Sequence, residues 1–422
     1  MARITLIAFG TRGDAQPAIA LGKGLRARGH QVTVLASAHF KSWVESHGLE
    51  AAVTDVNIQE IMESEGGQDW VERGHNPLVQ MRIMRRLLLQ SGLQMAKDAW
   101  EACQGADVIV SSFTSDVYAV SIAEKLGARH VSAPLQPTLW STRNGNVLMN
   151  APAPNRVSLF NYIFGKIVIE PAAWRLYGDL TNQFRQEILG LPPQTYRQNK
   201  AAREEMLIVH AYSHYVVPHP KDWPESYHTV GYFFLDEEQA WQPPADLMTF
   251  IEAGERPICI GFGSMTGRDP RRMTDIVRRA VKRSGRRAVL LSGWGKIGEA
   301  ELPDSIYCLR QAPHTWLFPR MAAVVHHGGA GSTAAGLRAG VPSILIPHFA
   351  DQPFWANRVE ALGVGPKGIL RHRLIPEVLA DAIAEATTNP DMAHKAAELG
   401  RKIRAEDGVE RAVDLIEAFI RA

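Results

Sequence analysis

Hydrophobic positions in the first 135 residues fall into two alternating kinds of run. Arg3 to Phe9 (RITLIAF), Gln31 to Ala36, Asp107 to Ser111 and Arg129 to Ala133 are short, apolar and β-prone, with no polar alternation. That is the pattern of strands buried on both faces of a parallel sheet. Between them the apolar residues take up a helical period: Ala18 to Arg28 stopped by Gly29, His39 to His47 ending at Gly48, Leu78 to Ala102, and Ser115 to Leu126. Pro17 suits the first turn of the first of these helices. Residues 54 to 80 are polar and contain glycine, and read as an irregular excursion.

The rhythm breaks over residues 134 to 178, which hold Trp140, Phe160, Tyr162, Phe164, Trp174 and Tyr177. They line an apolar cleft or belong to the core of the first domain. A helix at Phe184 to Gly190 and a strand at Glu205 to Ala211 lead to Val217–Pro244, rich in Pro, Trp and acidic residues, which reads as a connector. A second series follows: strands at Pro257–Phe262, Arg287–Leu291, Ile306–Arg310, Met321–Val325 and Ser343–Pro347. Its helices are Pro270–Ser284, Thr333–Arg338, Ile375–Thr387 and Met392–Ala422. Strand–helix alternation on this scale predicts an α/β protein of two doubly wound, Rossmann-like domains.

Composition narrows the class. At 422 residues two domains are the default. Apolar residues at 45% and charged residues at 21% are ordinary for a soluble globular chain. A net charge of +2 gives no reason to expect a nucleic-acid partner. A basic run from Arg268 to Arg287 reads as a solvated helix face, with peripheral contact to an anionic membrane as the lesser alternative. The three cysteines form no CxxC pair, and Met1 leads straight into a strand, so the expectation is reduced thiols and a cytoplasmic setting. No apolar run reaches the ~18 residues a bilayer span needs.

The candidate chemistry concentrates at Val324-Val325-His326-His327-Gly328-Gly329-Ala330-Gly331-Ser332-Thr333. A strand runs into two histidines and a small-residue turn, and a helix follows. That geometry aims backbone N–H groups at an anion, and the helix N-terminus adds roughly half a positive charge. His327 adds a donor, and a full charge if protonated. The bland alternative is a tight turn with two buried histidines. A dinucleotide-binding oxidoreductase fails its fingerprint in both halves: the first turn is GTRGD, and Gln31–Ala36 ends without a carboxylate. No DxD motif is present, so no metal ligands are expected at a diphosphate.

Two long stretches carry a family resemblance. GTRGDAQPAIALGKGLRARGHQV and HHGGAGSTAAGLRAGVPSILIPHFADQPFWANRV resemble the signatures of family 1 inverting glycosyltransferases of the GT-B fold, in the branch of antibiotic and sterol glucosyltransferases. The resemblance implies an acceptor-binding domain at 1–220, a linker at 221–245, a nucleotide-sugar domain at 246–405 facing it across a cleft, and a last helix, 406–422, returning toward the first domain. It implies that His327 and the backbone of Gly329, Ala330, Gly331 and Ser332 hold a diphosphate. Ser264 then approaches the phosphates or ribose, and Gln311, Ala312 and His314 cradle the base. Asp351 and Gln352 read the sugar hydroxyls; alone, they would read as a turn with Asp351 capping the helix before Pro353. Trp294 offers a stacking face or packs on the sheet.

Asp14 is the candidate general base, against the alternative that it caps the first helix. The family's plant members use a histidine base with an Asp partner. This chain has no His at 10–17, and Phe113 stands where that partner would be, with Asp116 nearby. Arg12, Trp140, Phe160 and Phe164 are the candidate acceptor contacts. The expected activity is metal-independent transfer of a sugar, foremost glucose from UDP-glucose, to a hydroxyl of an apolar acceptor such as a sterol, polyketide, macrolide or lipid. No cofactor is expected beyond the nucleotide-sugar co-substrate. A dTDP donor, a UDP-sugar epimerase and a catalytically silent helper protein are the other readings.

Overall fold

The computed structural model describes residues 1–74, 76–137, 142–143, 159–236, 241–263, 269–293, 297–298 and 301–422. Among them the chain divides into two compact units. One comprises Met1–Glu60, Met81–Leu235 and Glu406–Ala422, and the other Ile61–Gln80 and Asp236–Ala405.

The first unit holds a seven-stranded parallel sheet: β1 (Arg3–Ile7), β2 (Gln31–Ser37), β3 (Glu50–Thr54), β4 (Val108–Ser111), β5 (Arg129–Ser132), β6 (Leu207–His210) and β7 (Tyr227–Thr229), in the order β3-β2-β1-β4-β5-β6-β7. Because side chains alternate across a strand, Ile4 and Leu6 face one layer and Ile7 faces the other. The first layer packs on the helices Arg12–Ala27 and Gly408–Arg421 through Ile19, Leu21, Ala412, Val413 and Ile416. The second packs on Pro77–Ala102, Asp116–Leu126 and Glu170–Glu187 through Ala96, Ala99, Tyr118 and Phe184.

Several sequence expectations need correction. The connector 217–244 contributes strand β7 and the buried Phe233 and Leu235, so part of it is core. Residues 58–73, read as irregular, form helices Ile58–Glu63 and Glu65–Arg73, the second capped by Ser64, whose hydroxyl accepts from Gly67 N–H at 3.2 Å. The single helix read over Met392–Ala422 is two, Pro390–Arg404 and Gly408–Arg421. Asp407 ends the run by capping the second, accepting from Glu410 N–H at 3.0 Å. Gly408 then lies so close to Gly231 that a Cβ would meet its carbonyl carbon at 2.5 Å. Arg28 fastens the same helix, donating to Asp414 at 2.8 Å, Glu417 at 3.1 Å and Glu410.

The second unit holds a five-stranded parallel sheet of β8 (Ile258–Gly261), β9 (Ala288–Leu291), β10 (Ile306–Leu309), β11 (Val324–His326) and β12 (Ser343–Leu345), in the order β10-β9-β8-β11-β12. Its core includes Leu247, Cys259, Val289, Leu317, Met321 and Val324. Among the described residues no helix is long and apolar enough to cross a membrane.

Candidate active site

In an open parallel sheet ligands sit beyond the strand C-termini where the strand order reverses. In the second unit that point lies between β8 and β11. The register pairs Gly261 with both Leu291 and His326, and His326 with Leu345, so four strands end at one edge. Their loops meet there. A Cβ on Gly293 would stand 2.6 Å from the Gly263 carbonyl oxygen, and one on Gly263 would stand 3.3 Å from His327 Cε1. Gly293 N–H also donates to Arg310 O at 3.1 Å, which draws in the loop after β10. Gly328 packs against Gln352, whose carbonyl oxygen would be 3.3 Å from an added Cβ. The glycines of these loops let the backbones approach this closely.

The two histidines of the turn separate in role. His326 is buried at the end of β11, and its Nδ1 accepts from Gly328 N–H at 3.1 Å. Burial, then the neighbouring His327 and His314, holds its pKa well below the ordinary value, so it is a neutral structural group that shapes the turn. His327 packs between Gly263 and Gly329; a Cβ on Gly329 would meet its Nε2 at 2.6 Å. Its Nδ1 is buried with no hydrogen-bond partner. Burial pushes this imidazole down to about 4. The free protein therefore offers a neutral donor here at neutral pH, not the charge that a protonated ring would bring. The helix begins earlier than its sequence pattern suggested, at Ala330, with Gly329 as N-cap. The N–H groups of Ala330, Gly331 and Ser332 lie in its first turn, where no carbonyl of the same helix reaches them.

The loop after β12 holds its pair by local bonds. Gln352 is buried, and its Oε1 accepts from the backbone N–H of His348 at 2.8 Å and of Phe349 at 3.3 Å. Asp351 precedes the helix Gln352–Leu362 but makes no side-chain cap bond. Its Oδ2 instead accepts from the Trp355 indole at 2.7 Å. Burial raises the Asp351 pKa, and the Trp355 bond opposes the rise. Trp355 was missed by sequence reading, although the i,i+4 spacing within DQPFW is its signal. Ala350 has φ 54°, the left-handed region that a residue with a Cβ rarely adopts. Ser264 and Trp294 lie outside the described residues. Gln311 and Ala312 follow β10, with Gln311 exposed, and His314 stacks on Phe318 with centroids 4.3 Å apart.

In the first unit Asp14 stands at the third position of the helix Arg12–Ala27, just beyond β1. Its Oδ2 accepts from Thr11 N–H at 2.8 Å, and Thr11 Oγ1 accepts from Gly13 N–H, which closes a capping box. The helix therefore starts six residues before Ala18, with Pro17 inside it. Gly10, at φ 147°, makes room: a Cβ there would overlap Asp14 Oδ2 at 2.0 Å. Arg12 lies over the Trp43 ring, 4.8 Å from its centroid. Asp116 does not face that turn. It is buried and accepts from Ser111 at 2.5 Å, from Ser132 at 2.9 Å and from Arg203 at 3.4 Å, with His130 on Ser111 at 2.7 Å. Phe160 and Phe164 stack 5.7 Å apart on the helix Leu159–Phe164, and Phe160 is 71% exposed. Trp140 lies outside the described residues.

Comparison with known proteins bears on both units. Residues 4–130 match the Glycosyltransferase family 28 N-terminal domain, and residues 293–417 match the Erythromycin biosynthesis protein CIII-like C-terminal domain. The chain is 36% identical over 447 residues to a sterol 3-beta-glucosyltransferase of Cryptococcus neoformans var. neoformans serotype D, covering 98% of this chain and 27% of that protein. It is 37% identical over 429 residues to the sterol 3-beta-glucosyltransferase of Komagataella phaffii, covering 97% of this chain and 34% of that protein. It thus spans about a quarter to a third of the length of these relatives. The fold is similar to the glycotransferase of kitacinnamycin, with TM-score 0.70 at 20% identity and coverage of 99% and 98% of the two chains. It is similar too to the Streptomyces sp. SF2575 glycosyltransferase SsfS6 complexed with thymidine diphosphate, with TM-score 0.64 at 22% identity over 99% of this chain and 100% of that one.

Proposed function

The chain belongs to the family 1 glycosyltransferases, and on that premise we propose that it transfers a sugar, foremost glucose from UDP-glucose, to a hydroxyl of a sterol or similar apolar acceptor. The observation that carries the reading is the convergence at the β8–β11 switch point of a neutral imidazole, two glycine turns and a helix first turn. Few ligands suit that edge better than a diphosphate.

In this reading the first-turn amides of Ala330, Gly331 and Ser332 and the imidazole of His327 hold the diphosphate. The loop of Gln311, Ala312 and His314 receives the base, and Ser264 and Trp294 complete the nucleotide contacts. Asp351 accepts from sugar hydroxyls, and Trp355 keeps its carboxylate in place. Gln352 contributes its amide while its Oε1 holds the loop. The acceptor oxygen forms a bond to the anomeric carbon as the bond from that carbon to the β-phosphate oxygen breaks. The electron pair departs on the diphosphate, where amides and imidazole stabilise it. Asp14 takes the acceptor proton. Its carboxylate can do so while it caps the helix, because two oxygens provide about four acceptor sites. Single displacement inverts the anomeric centre. Arg12, Trp140, Phe160 and Phe164 meet the acceptor; the exposed Leu159, Phe160, Ile163 and Ile167 suit an apolar one.

The test is a panel of UDP and dTDP sugars against hydroxylated apolar compounds, read by mass spectrometry. A mass gain of one hexose on a sterol supports the reading. Conversion of the nucleotide sugar with no acceptor present would point to epimerisation, and nucleotide binding without product to a helper role.

A further inference from the structure

The second unit contains a segment from the first fifth of the chain, Ile61–Gln80. It lies on the turn His348-Phe349-Ala350, immediately before Asp351. Each of those three residues is engaged. Trp70 stacks on Phe349 with centroids 4.5 Å apart and planes 26° apart. Gly74 packs so tightly beside the pair that a Cβ there would meet Phe349 Cβ at 2.6 Å and Trp70 Cδ1 at 2.8 Å. Gln80 Oε1 accepts from Ala350 N–H at 3.4 Å. Arg371 donates to His348 Nε2 at 3.3 Å, and the Glu72 carboxylate is near enough to Arg371 to interact with its charge. Phe349 is buried, and Ala350 is the one non-glycine residue at positive φ among the described residues. Such a backbone persists only where its surroundings over-determine it.

We propose that the helix Glu65–Arg73, with Gly74 and Gln80, is a positioning element that fixes the strained 348–350 turn and so aims Asp351 and Gln352 at the transferred sugar. This rests on the donor assignment given above. The contacts given above fall on Phe349, Ala350 and Arg371, beside the sugar-reading pair, so the segment governs recognition of the sugar and not of the nucleotide. The Trp70 indole N–H is buried with no hydrogen-bond partner, so the ring face, not the N–H, makes the contact. A phenylalanine should therefore serve in its place.

The experiment compares wild type, Trp70→Ala, Trp70→Phe and Gln80→Ala. Calorimetry gives Kd for UDP and for UDP-glucose, and turnover gives KM and kcat; dTDP and dTDP-glucose replace them if the panel selects thymidine. Trp70→Ala should leave the Kd of the free diphosphate within about twofold while UDP-glucose affinity and kcat fall roughly 10- to 100-fold, the scale of a misplaced binding group. Trp70→Phe should restore both, and Gln80→Ala should show the same split to a smaller degree. Equal loss for UDP and UDP-glucose, or no loss for either in both alanine variants, would overturn the proposal. Absence of nucleotide binding by the wild type would instead remove the donor assignment, and this inference with it.

Discussion

Replacing His327 with alanine removes the imidazole donor assigned to the diphosphate. Its ring sits between Gly263 and Gly329, and the change leaves both backbones in place. A hydrogen bond to a charged partner contributes about 1.5–3 kcal/mol. At about 1.4 kcal/mol per decade, UDP should then bind roughly 10- to 150-fold more weakly. The charge state of the ring makes the prediction sharper. With its pKa pushed down to about 4 by burial, protonating it at pH 7 costs at most about 4 kcal/mol, at 1.36 kcal/mol per unit. Solvent screening on its open side reduces that figure. The neutral ring already supplies an N–H donor without that cost, so UDP should bind at pH 7 with little proton uptake. An anionic ligand raises the imidazole pKa, so uptake should grow as pH falls toward 5. Calorimetry in buffers of different ionisation enthalpy measures both quantities. Unchanged UDP affinity in His327→Ala would refute the phosphate role. Uptake of a full proton at pH 7 would refute the neutral donor.

Gly329→Ala tests the same turn by sterics. Gly329 has φ −61°, so alanine adds no backbone strain, but its Cβ would meet His327 Nε2 at 2.6 Å. The ring must shift, and UDP affinity should fall about tenfold, the cost of about 1.4 kcal/mol; wild-type affinity by calorimetry would show that the ring is not gripped there. Buried histidines also set an acid limit. Burial holds His130 at about 4 and His210 at about 3, both below the unfolded value near 6.5. The unfolded chain then binds more protons, so stability is whole above about pH 6.5 and is lost as pH falls toward 4. Thermal melts from pH 7.5 to 4.5 should show Tm dropping through that window, and His130→Gln should flatten the drop. A flat wild-type profile would contradict the burial argument.

Ten of the twelve strands described were legible because buried parallel strands leave continuous apolar runs, whereas short helices such as Tyr196–Glu204 and Ala245–Glu252 left no pattern that was read. The helix Pro270–Ser284 begins and ends where its pattern did. Caps were harder to place. Pro17 suggested a helix start, but the Thr11–Asp14 box begins the helix before it, at the cost of one hydrogen bond to Gly13. β3 and β7 were not picked out, since EAAVT is too small and too polar, and YHT too short, to mark a strand. At the candidate site, His327 and the glycines stood out because spacing in a single stretch carries them. The burial that makes His327 neutral, and the separation of His326 as a structural group, depend on the loops after β8 and β12. Trp70 had no signal at all: its partner Phe349 lies far along the chain, and only tertiary packing brings the two together.

Asp14→Asn puts the catalytic assignment to its most direct trial. The amide keeps an oxygen for Thr11 N–H, so the capping box and the fold should survive, while the proton acceptor is lost. With UDP-glucose and a sterol that the wild type glycosylates, turnover should fall at least about 100-fold, the lower range for a general base, with UDP affinity unchanged by calorimetry. Turnover at the wild-type rate would show that another group accepts the proton.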